Sequence, residues 1–295
     1  MKIIDIHTHG IGGYDTRATN ADEILKIAEI HGSCGVSEIL LTIYPSTIRL
    51  MRNNIETVKR AIEKQKEMST YVDDGRTGSA KIIGVHLEGP FLNPSRCGSL
   101  DVSAVLEPTD YRLKELIEGF ENMVKIITVA PEMNWAVGLI RRISDMGIVV
   151  SMGHSNATYT EAEAGLHAGA RGITHIFNAM RGFHHREPGI AGFGLLNRDV
   201  YIEVIADPFH LHAKTIDVIF RTKNHDRIII VSDTVKETKD GKSRINGISD
   251  TSGNLMGGSM VVTESSKRLI TLGYDEDVIM SCITNNPAIY LKVEY

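Results

Sequence analysis

Short apolar, β-branched runs alternate with longer stretches of helical periodicity along almost the whole chain. That alternation is the signature of repeated βα units feeding a parallel sheet. The runs predict strands over 3–7, 38–44, 82–87, 124–129, 148–152, 172–175, 201–206 and 228–232. Between them the 3.6-residue period predicts helices over 21–31, 46–66, 110–120, 135–146, 160–167 and 213–222, several of which open on a capping residue. A Gly-rich stretch over 253–259 and two short helices over 264–272 and 275–282 follow the last strand. Eight strands predict a closed (β/α)8 barrel of the TIM type, read as a single domain over residues 1–295. The polar stretch 71–80 is expected to be a flexible loop, too short for an interdomain linker.

Charge narrows the partners. The 32 Lys and Arg stand against 37 Asp and Glu, a formal net charge of −5, and no basic run breaks the pattern. Such a chain is expected to offer neither a nucleic-acid interface nor an anionic-membrane surface. Cys34, Cys97 and Cys282 form no CxxC pair and read as reduced thiols. Asp5 and His7 fall where a secretory signal needs an uninterrupted apolar stretch. No apolar run approaches the ~20 residues needed to span a bilayer. The expected location is cytoplasmic.

In barrels of this kind the loops after the strands carry the chemistry. At or just after the predicted strand ends stand His7 and His9, Glu88, His154, His175, His210 and Asp233. His7 and His9 are two residues apart, which in a strand puts both imidazoles on one face, close enough to chelate one ion. Taken alone, such a pair is more often plain buried polarity. Glu88 adds a hard anionic ligand and His154 and His175 add neutral nitrogens, the mixed set that suits zinc or another divalent first-row ion. Asp233 is the remaining strand-end carboxylate, so it is the candidate base, with helix capping as its bland alternative. Asp5 and His86 are expected to point inward and orient ligands, with core polarity as the competing account. His31, His167 and His225 are expected on or near helix surfaces, and His184, His185 and His212 in loops, all without a role.

Three blocks then make the chain recognisable: GVHLEGPFLN over 84–93, GHSNAT over 153–158 and THIFNAM over 174–180. Together with REPG over 186–189, ADPFH over 206–210, SDT over 232–234, LMGGS over 255–259 and NNPA over 285–288, they resemble the N-acetylglucosamine-6-phosphate deacetylase family of the amidohydrolase superfamily. The resemblance implies hydrolysis of the acetamide of a phosphorylated amino sugar to acetate and amine, with one or two divalent ions, zinc foremost. It implies Glu88, His154 and His175 as the main metal ligands, with His7 and His9 for a second ion. Asp233 would take a proton from water and return it to the leaving nitrogen. Asn178, Ala179, Arg186, Asp207, His210, Leu255, Met256 and Gly257 would hold substrate, Arg186 and His210 at the phosphate. It further implies a homodimer in which the Arg186 segment reaches a neighbour's site.

Three departures stand against that pattern. The family's β-sandwich has no counterpart in residues 1–295, so it is expected to be absent. Leu100 stands where the family has a histidine that contacts the acetamide, and Pro208 stands where it has glycine. These leave open an amidohydrolase for a different N-acyl or cyclic amide or ester substrate, and a non-catalytic sugar-phosphate-binding descendant.

Overall fold

A computed structural model describes residues 2–69, 78–238 and 247–292. The expected loop at 71–80 lies, up to residue 77, outside the described residues. Eight parallel strands form one sheet in sequential order: β1 (Ile4–Thr8), β2 (Glu38–Ile43), β3 (Lys81–Leu87), β4 (Val124–Val129), β5 (Val149–Met152), β6 (Gly172–Ile173), β7 (Tyr201–Ile205) and β8 (Ile228–Val231). Every expected strand is present. The order is that of a (β/α)8 barrel, with helices α1 (Ala21–Ser33), α2 (Ile48–Ser69), α3 (Asp110–Ile117), α4 (Ala136–Asp145), α5 (Tyr159–His167), α6 (Gly189–Leu196) and α7 (Ala213–Thr222) in the crossovers. α8 (Val262–Thr271), α9 (Glu276–Ile283) and α10 (Asn285–Leu291) follow. No described helix is long and apolar enough to cross a membrane.

Alternation along the strands sorts the side chains. Ile39, Leu41 and Ile43 of β2, and Ile202 and Val204 of β7, join the outer core with the helices. Leu40, Ile126, Val149, Tyr201 and Ile229 form a second cluster with Ala288 and Tyr290 of α10. Tyr290 plugs the N-terminal end of the barrel: a Cβ at Gly172 would lie 2.0 Å from its hydroxyl oxygen, so β6 must open on glycine. Above this plug runs a layer of hydroxyls, Ser151, Thr174 and Thr128, hydrogen-bonded in series and ending on His86 Nε2.

The helices α6 and α10 escape the periodicity reading for opposite reasons. α6 is GIAGFGLL, buried all round except at its end, so it has no polar face to reveal a period. α10 carries Pro287 near its start, where the missing N–H costs nothing.

β1 and β8 close the barrel through side chains as much as through backbone. Asp5 Oδ1 accepts from the N–H groups of His7 (3.2 Å) and Ser232 (3.3 Å), and the His7 carbonyl accepts from Asp233 N (2.8 Å). The Thr8 and Thr234 hydroxyls lie 2.7 Å apart across this seam. His31 of α1 completes it, with Nε2 3.1 Å from Thr8 Oγ1 and 3.4 Å from Thr234 Oγ1. This corrects the expectation of a surface histidine: His31 is fully buried. It extends the apolar stripe of Ile24, Ile27 and Ala28 by the next helical step, which is why it points inward.

Two consequences can be measured. A Cβ at Gly258 would lie 1.8 Å from the Ser232 carbonyl oxygen, and Gly258 N donates to the Asp233 carbonyl. Gly258→Ala should therefore lower the unfolding free energy in urea by about 2–3 kcal/mol, and an unchanged midpoint would show that the segment simply slides. Burial lowers the His31 pKa to about 4. The unfolded chain then binds a proton that the folded chain refuses, so stability falls as pH drops from the ordinary imidazole value through 4, by roughly 3 kcal/mol. His31→Gln should flatten that part of the stability-versus-pH curve, and a wild-type slope in the variant would remove His31 from the acid response.

Candidate metal centre

Glu88, just past β3, sits between two sets of imidazoles. Its Oε1 lies 3.1 Å from His154 Nε2 and 2.9 Å from His175 Nε2, which are themselves 3.1 Å apart. Its Oε2 lies 3.1 Å from His9 Nε2, while His7 Nε2 is 3.5 Å from Oε1. Asp233 Oδ1 stands 3.3 Å from His7 Nε2 and 3.6 Å from His9 Nε2. All six residues are buried.

These groups fit divalent ions. Ligand atoms bound at about 2.1 Å in a tetrahedron stand about 3.4 Å from one another, close to the spacings seen here. His154 Nδ1 lies 2.9 Å from the Arg96 carbonyl oxygen, to which it donates, so the Nε2 lone pair is left free to ligate. His7 Nε2 is buried and makes no hydrogen bond. Glu88, His154 and His175 form one group able to hold an ion, and His7, His9 and Glu88 form another. The first offers three ligands and room for a fourth, the arrangement of catalytic zinc sites.

Electrostatics agrees with a site built for cations. Burial opposes ionisation of Glu88, yet His154, His175 and His9 around it hold its carboxyl well below the usual range. Burial, and then the charge of Glu88, push Asp233 well above its usual value. Burial pushes the Asp5 and Glu203 carboxyls up to about 7. The backbone is also held against its preference. His154, His175 and Asp233 have φ of 46°, 31° and 49°, and Phe177 and Ala179 have 76° and 48°. Each such residue costs on the order of 1–3 kcal/mol unless its surroundings compensate.

The cavity above, about 290 Å³, is lined by His9, Glu88, His154, His175, His210 and Asp233, and by Asn178, Ala179, Leu255, Met256 and Gly257. His7 lies beneath this lining. Asp207 is buried behind it, accepting from His210 Nδ1 (3.1 Å) and from the backbone N–H groups of Phe209, His210 and Ser259. Those donors overcome the cost of burial and keep its carboxyl well below the ordinary range. Arg186 is exposed and outside the lining. Of the two departures within the substrate motifs, Leu100 forms part of the cavity wall, whereas Pro208 is exposed beside it.

Sequence reasoning missed two residues here. Glu203, in the apolar run of β7, has Oε2 3.0 Å from His7 Nδ1. Tyr44 stacks on His9 at 3.8 Å, and the Arg17 guanidinium lies 4.5 Å from the Tyr44 ring centre. A carboxylate inside an apolar strand was the available signal for the first, and Tyr44 carried none. Asp5 and His86 do point inward, as expected, but neither bonds a ligand ring: Asp5 takes backbone N–H groups, and His86 pairs with Thr128 while its ring meets that of His7 edge-on at 4.6 Å.

Comparison with known proteins gives the arrangement a family. The chain is 34% identical over 252 residues to the N-acetylglucosamine-6-phosphate deacetylase of Bacillus subtilis (strain 168), covering 84% of this chain and 61% of that protein. It is 32% identical over 236 residues to the enzyme of the same name from Vibrio furnissii, covering 80% and 56%. The chain thus spans about three fifths of the curated relatives it matches. The crystal structure of N-acetylglucosamine-6-phosphate deacetylase from Thermotoga maritima superposes with a TM-score of 0.85 at 25% identity, over 99% of this chain and 78% of that one. Residues 2–295 match the amidohydrolase family model, and the chain belongs to the amidohydrolase family.

Proposed function

We propose that this barrel is a zinc-dependent deacetylase that hydrolyses N-acetylglucosamine-6-phosphate to acetate and the free amine. The observation that carries the reading is the convergence of Glu88, His154 and His175 beside Asp233 at the floor of a sugar-sized cavity. Glu88, His154 and His175 would hold the main ion, and His7 and His9, sharing Glu88, a second. When bound, a divalent ion polarises the amide carbonyl and acidifies water. Relatives named for this reaction support the choice of substrate.

Asp233 takes the proton of the attacking water at its carboxylate and delivers it to the departing nitrogen, without which the amine would have to leave as an anion. Asn178, Ala179 and the Leu255 to Gly257 strand hold the sugar ring. His210, kept in place by Asp207, faces the phosphate, and Arg186 reaches the same group in a second copy of the chain, making the working unit a homodimer. Leu100 offers the acyl group only a hydrocarbon wall, so the His7 and His9 ion matters more here than in a site with a hydrogen-bond donor at that position. A charged sugar phosphate does not cross membranes unaided, which agrees with a cytoplasmic setting.

Metal-loaded protein screened against N-acyl amino sugars, phosphorylated and not, should deacetylate N-acetylglucosamine-6-phosphate best, and preference for an unphosphorylated or longer acyl compound would sink the assignment. Asp233→Asn should cut turnover on the order of a hundredfold or more while the main ion stays bound by elemental analysis. Activity within a fewfold of wild type would take Asp233 out of the mechanism. Removing both His7 and His9 should abolish turnover, and adding Leu100→His to that variant should restore part of it. Full activity in the His7/His9 variant would show that neither device is needed.

A further inference from the structure

Glu203 has no place in the chemistry so far. It is 1% exposed, on the inward face of β7 between Tyr201 and Ile205. A carboxylate there is costly unless a specific partner answers it. Its Oε2 lies 3.0 Å from His7 Nδ1, the main-chain N–H of His175 also faces the carboxylate, and its Oε1 has no hydrogen-bond partner. Of the buried polar groups nearby, Asp5 Oδ1 is committed to backbone N–H groups across the seam and His86 Nε2 to Thr128, while Asp5 Oδ2 and His86 Nδ1 have no hydrogen-bond partner. A neutral imidazole carries one N–H, and the nitrogen that keeps it cannot ligate.

We infer that Glu203 is a positioning residue for the second ion, holding the proton of His7 on Nδ1 and so turning the Nε2 lone pair toward His9 and Glu88. The inference rests on the reading of His7 and His9 as ligands. The two imidazoles are set by different means. His7 is oriented by a carboxylate, while His9, whose Nδ1 has no partner, is oriented by stacking on Tyr44. Such outer carboxylates typically change metal affinity by about 10- to 100-fold.

The test counts ions and needs no substrate. Co2+ is titrated into the metal-free 295-residue protein and followed by visible absorption and elemental analysis, for wild type, Glu203→Gln, His7→Ala and the double variant. Wild type should load in two steps. Glu203→Gln should weaken the second step by about 10- to 100-fold and leave the first unchanged. In the His7→Ala background, Glu203→Gln should change nothing further, because the contact through which it acts is gone. Equal second-step affinity in wild type and Glu203→Gln would overturn the inference while leaving the His7 and His9 site standing. A single step in wild type would remove that site and the inference with it. Uptake of a further ion that disappears on His86→Ala would also overturn it, since Glu203, His7 and His86 lie close enough to hold one themselves. Should Glu203→Gln fail to fold, 15N resonances of the histidines in zinc-loaded wild type decide the matter. A proton on His7 Nδ1 is expected, and one on Nε2 refutes the assignment.

Discussion

The seam where β8 meets β1 governs the rest of the molecule. Closing a twisted sheet requires its first and last strands to pair, and here the pairing also determines the distance between His7 and Asp233. Asp5 holds the main chain of both strands, Thr8 and Thr234 join their hydroxyls, and His31 braces the pair from α1. A slip of one residue at this seam would send the imidazoles of His7 and His9 outward and leave Glu88 facing Asp233 with no cation between them. Fold closure and site assembly are one event.

The barrel interior is stratified along its axis. At the N-terminal end lies the Tyr290 plug, then the Ser151, Thr174, Thr128 and His86 layer, and then the carboxylates and imidazoles at the open mouth. Polarity rises stepwise toward solvent. The hydroxyls of Ser151, Thr174 and Thr128 satisfy one another in series, so none of the three is stranded in the interior. They also separate the ionisable groups from the hydrocarbon below.

Much of this was legible in the sequence, because strand ends in a barrel are predictable from β-branched runs and ligand types stand out there. His7, His9, Glu88, His154, His175 and Asp233 were each identified at the end of a run. What stayed hidden had only a faint local signal in the sequence, its meaning supplied by partners far away along the chain. His31 continues the apolar stripe of α1, but the hydroxyls that answer its imidazole stand more than twenty and two hundred residues away, so its polar side chain looked like a surface residue. Glu203 sat inside an apolar run whose register decides whether it faces the helices or the site. Leu100 was read from a motif and does line the cavity, whereas Asp207, taken from a neighbouring motif, acts from behind on His210.

The left-handed backbone at His154, His175, Phe177, Ala179 and Asp233 sets stability and usefulness at odds in this fold. Glycine or asparagine at any of these positions would relax the main chain, and the relaxed protein would be the sturdier molecule. Random drift under selection for robustness alone would therefore dismantle the mouth of the barrel first, one residue at a time. Five such side chains around a single cavity place the strain at the mouth of the barrel, where the fold alone has no need of it.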